Sequence, residues 1–477
     1  MKETIKNYKS TLGTIVKTKS FLLMVAEFVL LIISTGFSVI TGLYKTLPEF
    51  FLSVFLITIL FFIAKWVTEI YVDKENRKTL FIGTIITSVI GLIAYAFIVY
   101  NRNFEYLSDH VVYYDLQNEL HTLFNNLPLK GFYGIVSSCW NSDYSYFINA
   151  ILAAPFAFTT GTNNAFVITY YIVLLAPVCY MNNLLVINIA QRFNTKNVNL
   201  IAVLGNITFL TFPLLHLASL LGMPDLFGMF FVFAIFVIMT NYDYTKFSLS
   251  QAVIASLLMV FLVVTRRWYI FTLIGLYISI IAIKFVYSFF EKDKTLRSKT
   301  FLGEIKFIIV TAILMLVTLT PFIYRTLFVR NYASDYSDYD LGGFPFELFN
   351  QLGYLGILFA LLLLVGAIYG FINKKLRPIT IFSLLGCFLS MYSFTIVQNM
   401  GKHQSLCLVI YYLLLLYNVF ILIDKTKNKA VKYTLIAIVL GVLAFNTFST
   451  MTGFADDLSK VFLTTKYAVA TRFTWSF

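Results

Sequence analysis

Apolar positions in this chain fall in long runs rather than in stripes. Mostly apolar stretches recur at 21–43, 50–72, 80–100, 165–190, 198–215, 226–240, 249–264, 269–290, 305–327, 349–372, 377–397, 404–424 and 431–450. A helix needs about 20 such residues to cross the hydrocarbon core of a bilayer. Inside lipid a segment must satisfy its own backbone hydrogen bonds, which a helix does. The pattern predicts an all-α, polytopic transmembrane protein of about thirteen spans, with the short runs 226–240 and 249–264 tilted or broken. The apolar stretch 146–160 is only about fifteen residues long and reads as a re-entrant or juxtamembrane helix.

Between these runs lie short polar segments. With the N-terminus in the cytoplasm, the inside segments are 1–20, 73–79, 191–197, 241–248, 291–306, 373–377 and 424–432, and they hold 23 of the 36 Lys and Arg residues. That is the positive-inside bias, and it places the C-terminus outside. The first run follows a basic stretch and lacks a small-residue cleavage site, so it reads as an uncleaved span of the plasma membrane. Three segments divide the chain: 1–79, a basic N-terminus and two spans; 80–327, a central module with an outer loop at 101–164; and 328–477, an outer loop and the last spans.

Composition agrees. Hydrophobic residues make up 59% of the 477, mean hydropathy is +0.81, and only 12% are charged, against about 25% in soluble domains. A net charge of +13 would suit nucleic acid, but the basic residues are dispersed among short loops, which excludes a binding patch. Four cysteines, Cys139, Cys179, Cys387 and Cys407, form no close-spaced set, so neither a disulfide framework nor a zinc site is expected. Glu27 and Lys65 lie at similar depth in the first two runs, and charges in lipid need partners, so an ion pair is expected between them.

The candidate chemistry gathers on the outer side. Residues 109–124 read as an amphipathic surface helix, with Val112, Leu116, Leu120 and Leu123 on one face, Asp115, Asn118, Glu119 and Thr122 on the other, and Ser108 as N-cap. The segment 328–348 is rich in Tyr and Asp, a composition suited to sugars. Asp225 stands alone in an otherwise apolar turn. Arg266 and Arg267, in Thr-Arg-Arg-Trp-Tyr, occupy an outer hairpin against the charge bias. Their planar guanidinium forks suit a phosphate; beside Trp268 and Tyr269 they also suit an interfacial anchor. Lys402 and His403 sit in another short outer turn, which reads either as an ordinary polar turn or as an addition to a phosphate site. No His/Cys/Asp/Glu group has metal-ligand spacing; a divalent ion between paired acids is chemically feasible but not indicated.

The order of these parts resembles the GT-C superfamily of membrane glycosyltransferases. The span 80–100 leads into Ser108-Asp109-His110-Val-Val-Tyr-Tyr-Asp115, the short helix 146–160 follows, and Asp225 comes two spans later. The likeness is architectural and covers roughly 80–290; adjacent acids are usual at the first motif, whereas here Asp109 precedes His110. The resemblance implies transfer of a sugar from a polyprenyl-phosphate donor to a glycan or lipid acceptor outside the cytoplasm, with inversion. In that reading Asp109 is the base, Asp115 its substitute, and Asp225 an orienting acid. Arg266 and Arg267, with Lys402 and His403, hold the donor phosphate. Asp109 and Asp225 are then expected in one cavity, within about 10 Å of each other. Two alternatives stand beside it: a polysaccharide polymerase or ligase acting on lipid-linked oligosaccharide, and a lipid-linked sugar flippase or transporter. The second is disfavoured by the lack of a repeat and by the one-sided charge.

Overall fold

The computed structural model describes residues 19–103, 109–339, 342–401, 404–452 and 474–475. Apart from a two-residue antiparallel pairing of 102–103 with 474–475, the described residues build helices and their connections. The helices of eight residues or more are α1 Lys19–Thr41, α2 Leu47–Tyr71, α3 Arg77–Tyr100, α4 Asp109–Asn126, α5 Pro128–Asn141, α6 Phe147–Phe156, α7 Asn163–Arg192, α8 Val198–Thr211 and α9 Pro213–Leu220. Then come α10 Asp225–Asn241, α11 Leu249–Thr265, α12 Tyr269–Phe289, α13 Lys294–Tyr324, α14 Gly343–Leu355, α15 Ile357–Ile372, α16 Arg377–Thr395, α17 Val409–Lys425 and α18 Lys429–Thr452.

Local chemistry sets many boundaries. Pro48 and Pro128 stand in the first turns of α2 and α5, where a missing N–H costs nothing. The side chains of Thr162, Asn197 and Asp293 accept backbone N–H groups at the starts of α7, α8 and α13. Gly356 has φ +76°, a backbone region nearly closed to other residues, and there the chain turns by 105° between α14 and α15.

Among the described residues nine helices are long and apolar enough to cross a membrane, or ten with the bent pair α14–α15 taken as one. The expectation of thirteen spans parts from this at three further runs. They form helices α8, α10 and α11, of 14, 17 and 17 residues. At 1.5 Å per residue the longer two reach about 25 Å, a few ångströms less than the hydrocarbon core. The stretch 146–160 contains the ten-residue helix α6, buried along most of its length.

The helices sort by depth. In α17 and its lead-in, 94% of the most apolar window is buried, in α7 72%, and in α18 17%. The first two are enclosed on most sides because they are core, whereas α1 and α18 show large apolar side chains on the outside, the surface of a helical membrane protein. Small residues allow the closest approach. A Cβ on Gly275 of α12 would lie 2.0 Å from the Ser390 hydroxyl and 2.3 Å from the Gly386 carbonyl of α16, the small-xxx-small packing of membrane helices. Buried amides add interhelical bonds: Asn418 donates to Thr380 and to the Gly366 carbonyl.

The amphipathic reading of 109–124 holds: Leu120 is buried, while Asp115, Asn118, Glu119 and Thr122 are exposed. Ser108 lies outside the described residues. The expected Glu27–Lys65 pair does not form. Glu27 accepts from the Thr58 hydroxyl at 2.9 Å, and Lys65 reaches Glu69 one turn along its own helix at 3.9 Å. The Thr58 hydroxyl meets one of the two Glu27 oxygens, and Lys65 is exposed enough to point away.

Candidate functional site

Arg266 and Arg267 occupy, with Trp268, a three-residue connection between α11 and α12. Arg266 is extended, and the next helix starts through bonds from Tyr269 and Ile270 N–H to the Arg266 and Arg267 carbonyls. Tyr269 then fastens this turn to α10. Its hydroxyl donates to the Asp225 carbonyl, and its ring lies over Gly228, where a Cβ would sit 2.0 Å from a ring carbon. Asp225, in the first turn of α10, is thereby held beside the arginines.

The two guanidinium groups have different surroundings. Arg266 Nε lies 3.3 Å from Asp225 Oδ1, with 4% and 3% of the side chains exposed. Arg266 Nη1 donates to the Tyr113 hydroxyl at 3.2 Å, and its guanidinium faces the rings of Tyr113 and Tyr144. Burial opposes the charge of Arg266, but Asp225 and Tyr113 more than offset it and hold its pKa above the ordinary value. Arg267 donates to the carbonyls of Ser138 and Ser142 at the end of α5, at 3.1 and 2.9 Å, and lies over Phe322 at 4.2 Å. Burial shifts its pKa downward. One of its terminal nitrogens, Nη1, has no hydrogen-bond partner among the described residues.

Both arginines line a cavity of about 710 Å³. Trp268, Phe271 and Phe322 supply apolar wall; Tyr332 and Tyr336 of the Tyr/Asp-rich segment form another side; Asn350 and Tyr354 of α14 and the turn 397–401 close it. Asp143 ties the Tyr/Asp-rich segment down. It receives Arg330 Nη1, the Tyr332 hydroxyl at 2.8 Å, and Arg325 Nη2 at 3.6 Å. Behind the amide wall, Glu347 is wholly buried and accepts from Gln351, Asn399 and the Met400 N–H, at 2.7, 3.0 and 2.8 Å.

The structure brings together some of the residues singled out in the sequence. Arg266 and Arg267 share the cavity, and Asp225, outside its lining, pairs with Arg266. Asp109 opens α4, one turn before Tyr113, but its side chain lies outside the described residues, as do Lys402 and His403. The expected sharing of one cavity by Asp109 and Asp225 therefore has one measurable half: Asp225 is not in the cavity lining. Asp115 is exposed on α4 away from the lining. Sequence reasoning missed Tyr113, Arg325, Arg330 and Glu347. For the two arginines a signal existed: like Arg266 and Arg267, they stand on the side expected to be poor in basic residues.

Among the described residues no group of three or more His, Cys, Asp or Glu side chains is arranged to hold a metal ion. No family model matches the chain, and neither a curated protein nor a solved structure matches it.

Proposed function

We propose that the protein is a GT-C-type membrane glycosyltransferase of thirteen helical passes, the short α8, α10 and α11 included. It moves a sugar from a polyprenyl-phosphate donor to an envelope glycan or lipid on the extracytoplasmic side. The observation that carries this reading is the cavity beneath Tyr332 and Tyr336, with aromatic walls and two buried guanidinium groups on one side. Such a cavity suits an amphiphile whose phosphate meets Arg and whose sugar meets Tyr and amide groups.

In this mechanism the acceptor hydroxyl gives its proton to a carboxylate as it attacks the anomeric carbon. The bond to the phosphate oxygen breaks, and Arg267 and Arg266 stabilise the charge left on the polyprenyl phosphate. Asp109 is the base of the proposal, since α4 carries both it and Tyr113, the partner of Arg266. Asp225 positions Arg266.

A second reading, a polymerase or ligase on lipid-linked oligosaccharide, draws support from Asp143. It is the one acid among the described lining residues, and two arginines and a tyrosine occupy it. Mass spectrometry of lipid-linked and envelope glycans with and without the protein decides. A missing side-chain sugar supports transfer, shortened polymer supports the polymerase, and carrier trapped on the inner leaflet overturns both in favour of a flippase.

A further inference from the structure

The opposite ends of α10 and α12 hold a second cavity, of about 270 Å³, which the proposed transfer does not use. The length of α10 puts it about 25 Å from the Arg266 turn. Its walls are apolar, including Phe193, Phe236, Ile280 and Phe382, and its mouth carries Arg192, Lys284 and Lys375. Arg192 is the last residue of α7, Lys284 lies in the final turns of α12, and Lys375 precedes α16 by two residues. The three cations therefore stand at one boundary of the membrane-crossing helices.

None of the three forms an ion pair among the described residues; Lys284 Nζ donates to the Thr240 carbonyl at 3.2 Å. Arg192 lies close enough for its like charge to bear on Lys284. Two acids also act on Lys284. Asp243 is already engaged by Thr245 and Lys246, and Glu304 is buried with no hydrogen bond to either carboxylate oxygen. The C-terminal ends of α7, α10 and α12 each add about half a negative charge, and the N-terminal end of α16 returns about half a positive one. Three cations exceed this, so the mouth stays net positive even with Glu304 ionised.

From this arrangement we infer an anionic-lipid site: the phosphate of a lipid headgroup bonds Arg192, Lys284 and Lys375, and an acyl chain lies along Phe193, Phe236 and Phe382. A basic mouth over an apolar slot between membrane helices fits this occupant better than a free ion, which has no use for the slot. The site is independent of the transferase reading and survives its failure.

The test uses the full chain purified in detergent. Native mass spectrometry compares phosphatidylglycerol with phosphatidylcholine added at equal concentration. Wild type is expected to retain phosphatidylglycerol preferentially, each cation contributing about fivefold. R192Q/K284Q/K375Q is expected to lose the preference, while K425Q/K427Q/K429Q, outside the cavity, keeps it. Equal retention by the cavity variant overturns the inference. Displacement of the lipid by millimolar inorganic phosphate overturns the lipid assignment in favour of a free anion. In unmutated protein, where folding is not at issue, a photoactivatable phosphatidylglycerol is expected to label Phe193, Phe236 or Phe382; labelling confined to other residues overturns it as well.

Discussion

Arg266 and Asp225 meet 3.3 Å apart, and both side chains are more than nine-tenths buried. Removing one partner strands the other charge away from water, at a cost of about 3–5 kcal/mol. Asp225→Asn is expected to lower the thermal midpoint in detergent markedly. Asp225→Leu combined with Arg266→Met should recover much of the loss. Equal destabilisation by single and double replacements would show that the pair is not the cause.

The transferase proposal makes a separate demand on α4. Asp109→Asn is expected to abolish sugar transfer to the acceptor while leaving the fold and carrier binding intact. Transfer assayed with purified protein and a polyprenyl-phosphate sugar checks it; near-normal turnover removes Asp109 from the mechanism and favours the polymerase reading.

Asp143 holds the segment that carries Tyr332 and Tyr336 through Arg325, Arg330 and Tyr332. Asp143→Asn is expected to loosen residues 325–339, with faster hydrogen exchange there and little change in α7 or α17. Unaltered exchange would mean that the aromatic contacts hold the segment by themselves.

His121 Nδ1 lies 2.9 Å from Glu49 Oε2, and this hydrogen bond raises the histidine's pKa above its ordinary 6.5. A raised cation contributes stability that is fully present below about pH 6.5 and fades as the pH climbs through the folded value. The thermal midpoint should therefore fall over that window in wild type, and less so in Glu49→Gln. A pH profile unchanged by Glu49→Gln would assign the dependence elsewhere.

Gly275 has no room for a side chain against Ser390 and the Gly386 carbonyl. Gly275→Leu is expected to cost about 3 kcal/mol or more by forcing α12 and α16 apart, at the upper end of overpacking penalties. Gly36, with nothing near its Cβ position, should tolerate alanine. The thermal midpoints of the two variants provide the comparison.

How much of this was legible beforehand follows from what each signal depends on. The helices announced themselves because lipid demands long apolar runs. Arg266 and Arg267 stood out because they break the charge bias of the loops. The partnership of Arg266 with Asp225 and Tyr113 was not legible, since it depends on how three helices far apart in sequence are brought together. Hydropathy also does not separate a lipid-facing helix from an interior one. The stretch Asp225–Asn241 is as apolar as any span, yet it is short and almost entirely enclosed by protein. The Glu27–Lys65 expectation failed for a related reason: similar depth in two helices says nothing about which way each side chain faces.

The bend at Gly356 governs more than direction. A straight helix through 343–372 would run about 45 Å, longer than the hydrocarbon core, and would carry Glu347, Asn350 and Gln351 past it, away from the turn at 399–405. By breaking there, the chain lays α14 crosswise, and those groups are solvated by Asn399, Met400 and Ser405 instead. One residue without a side chain thus decides whether these polar groups are met by protein or by water.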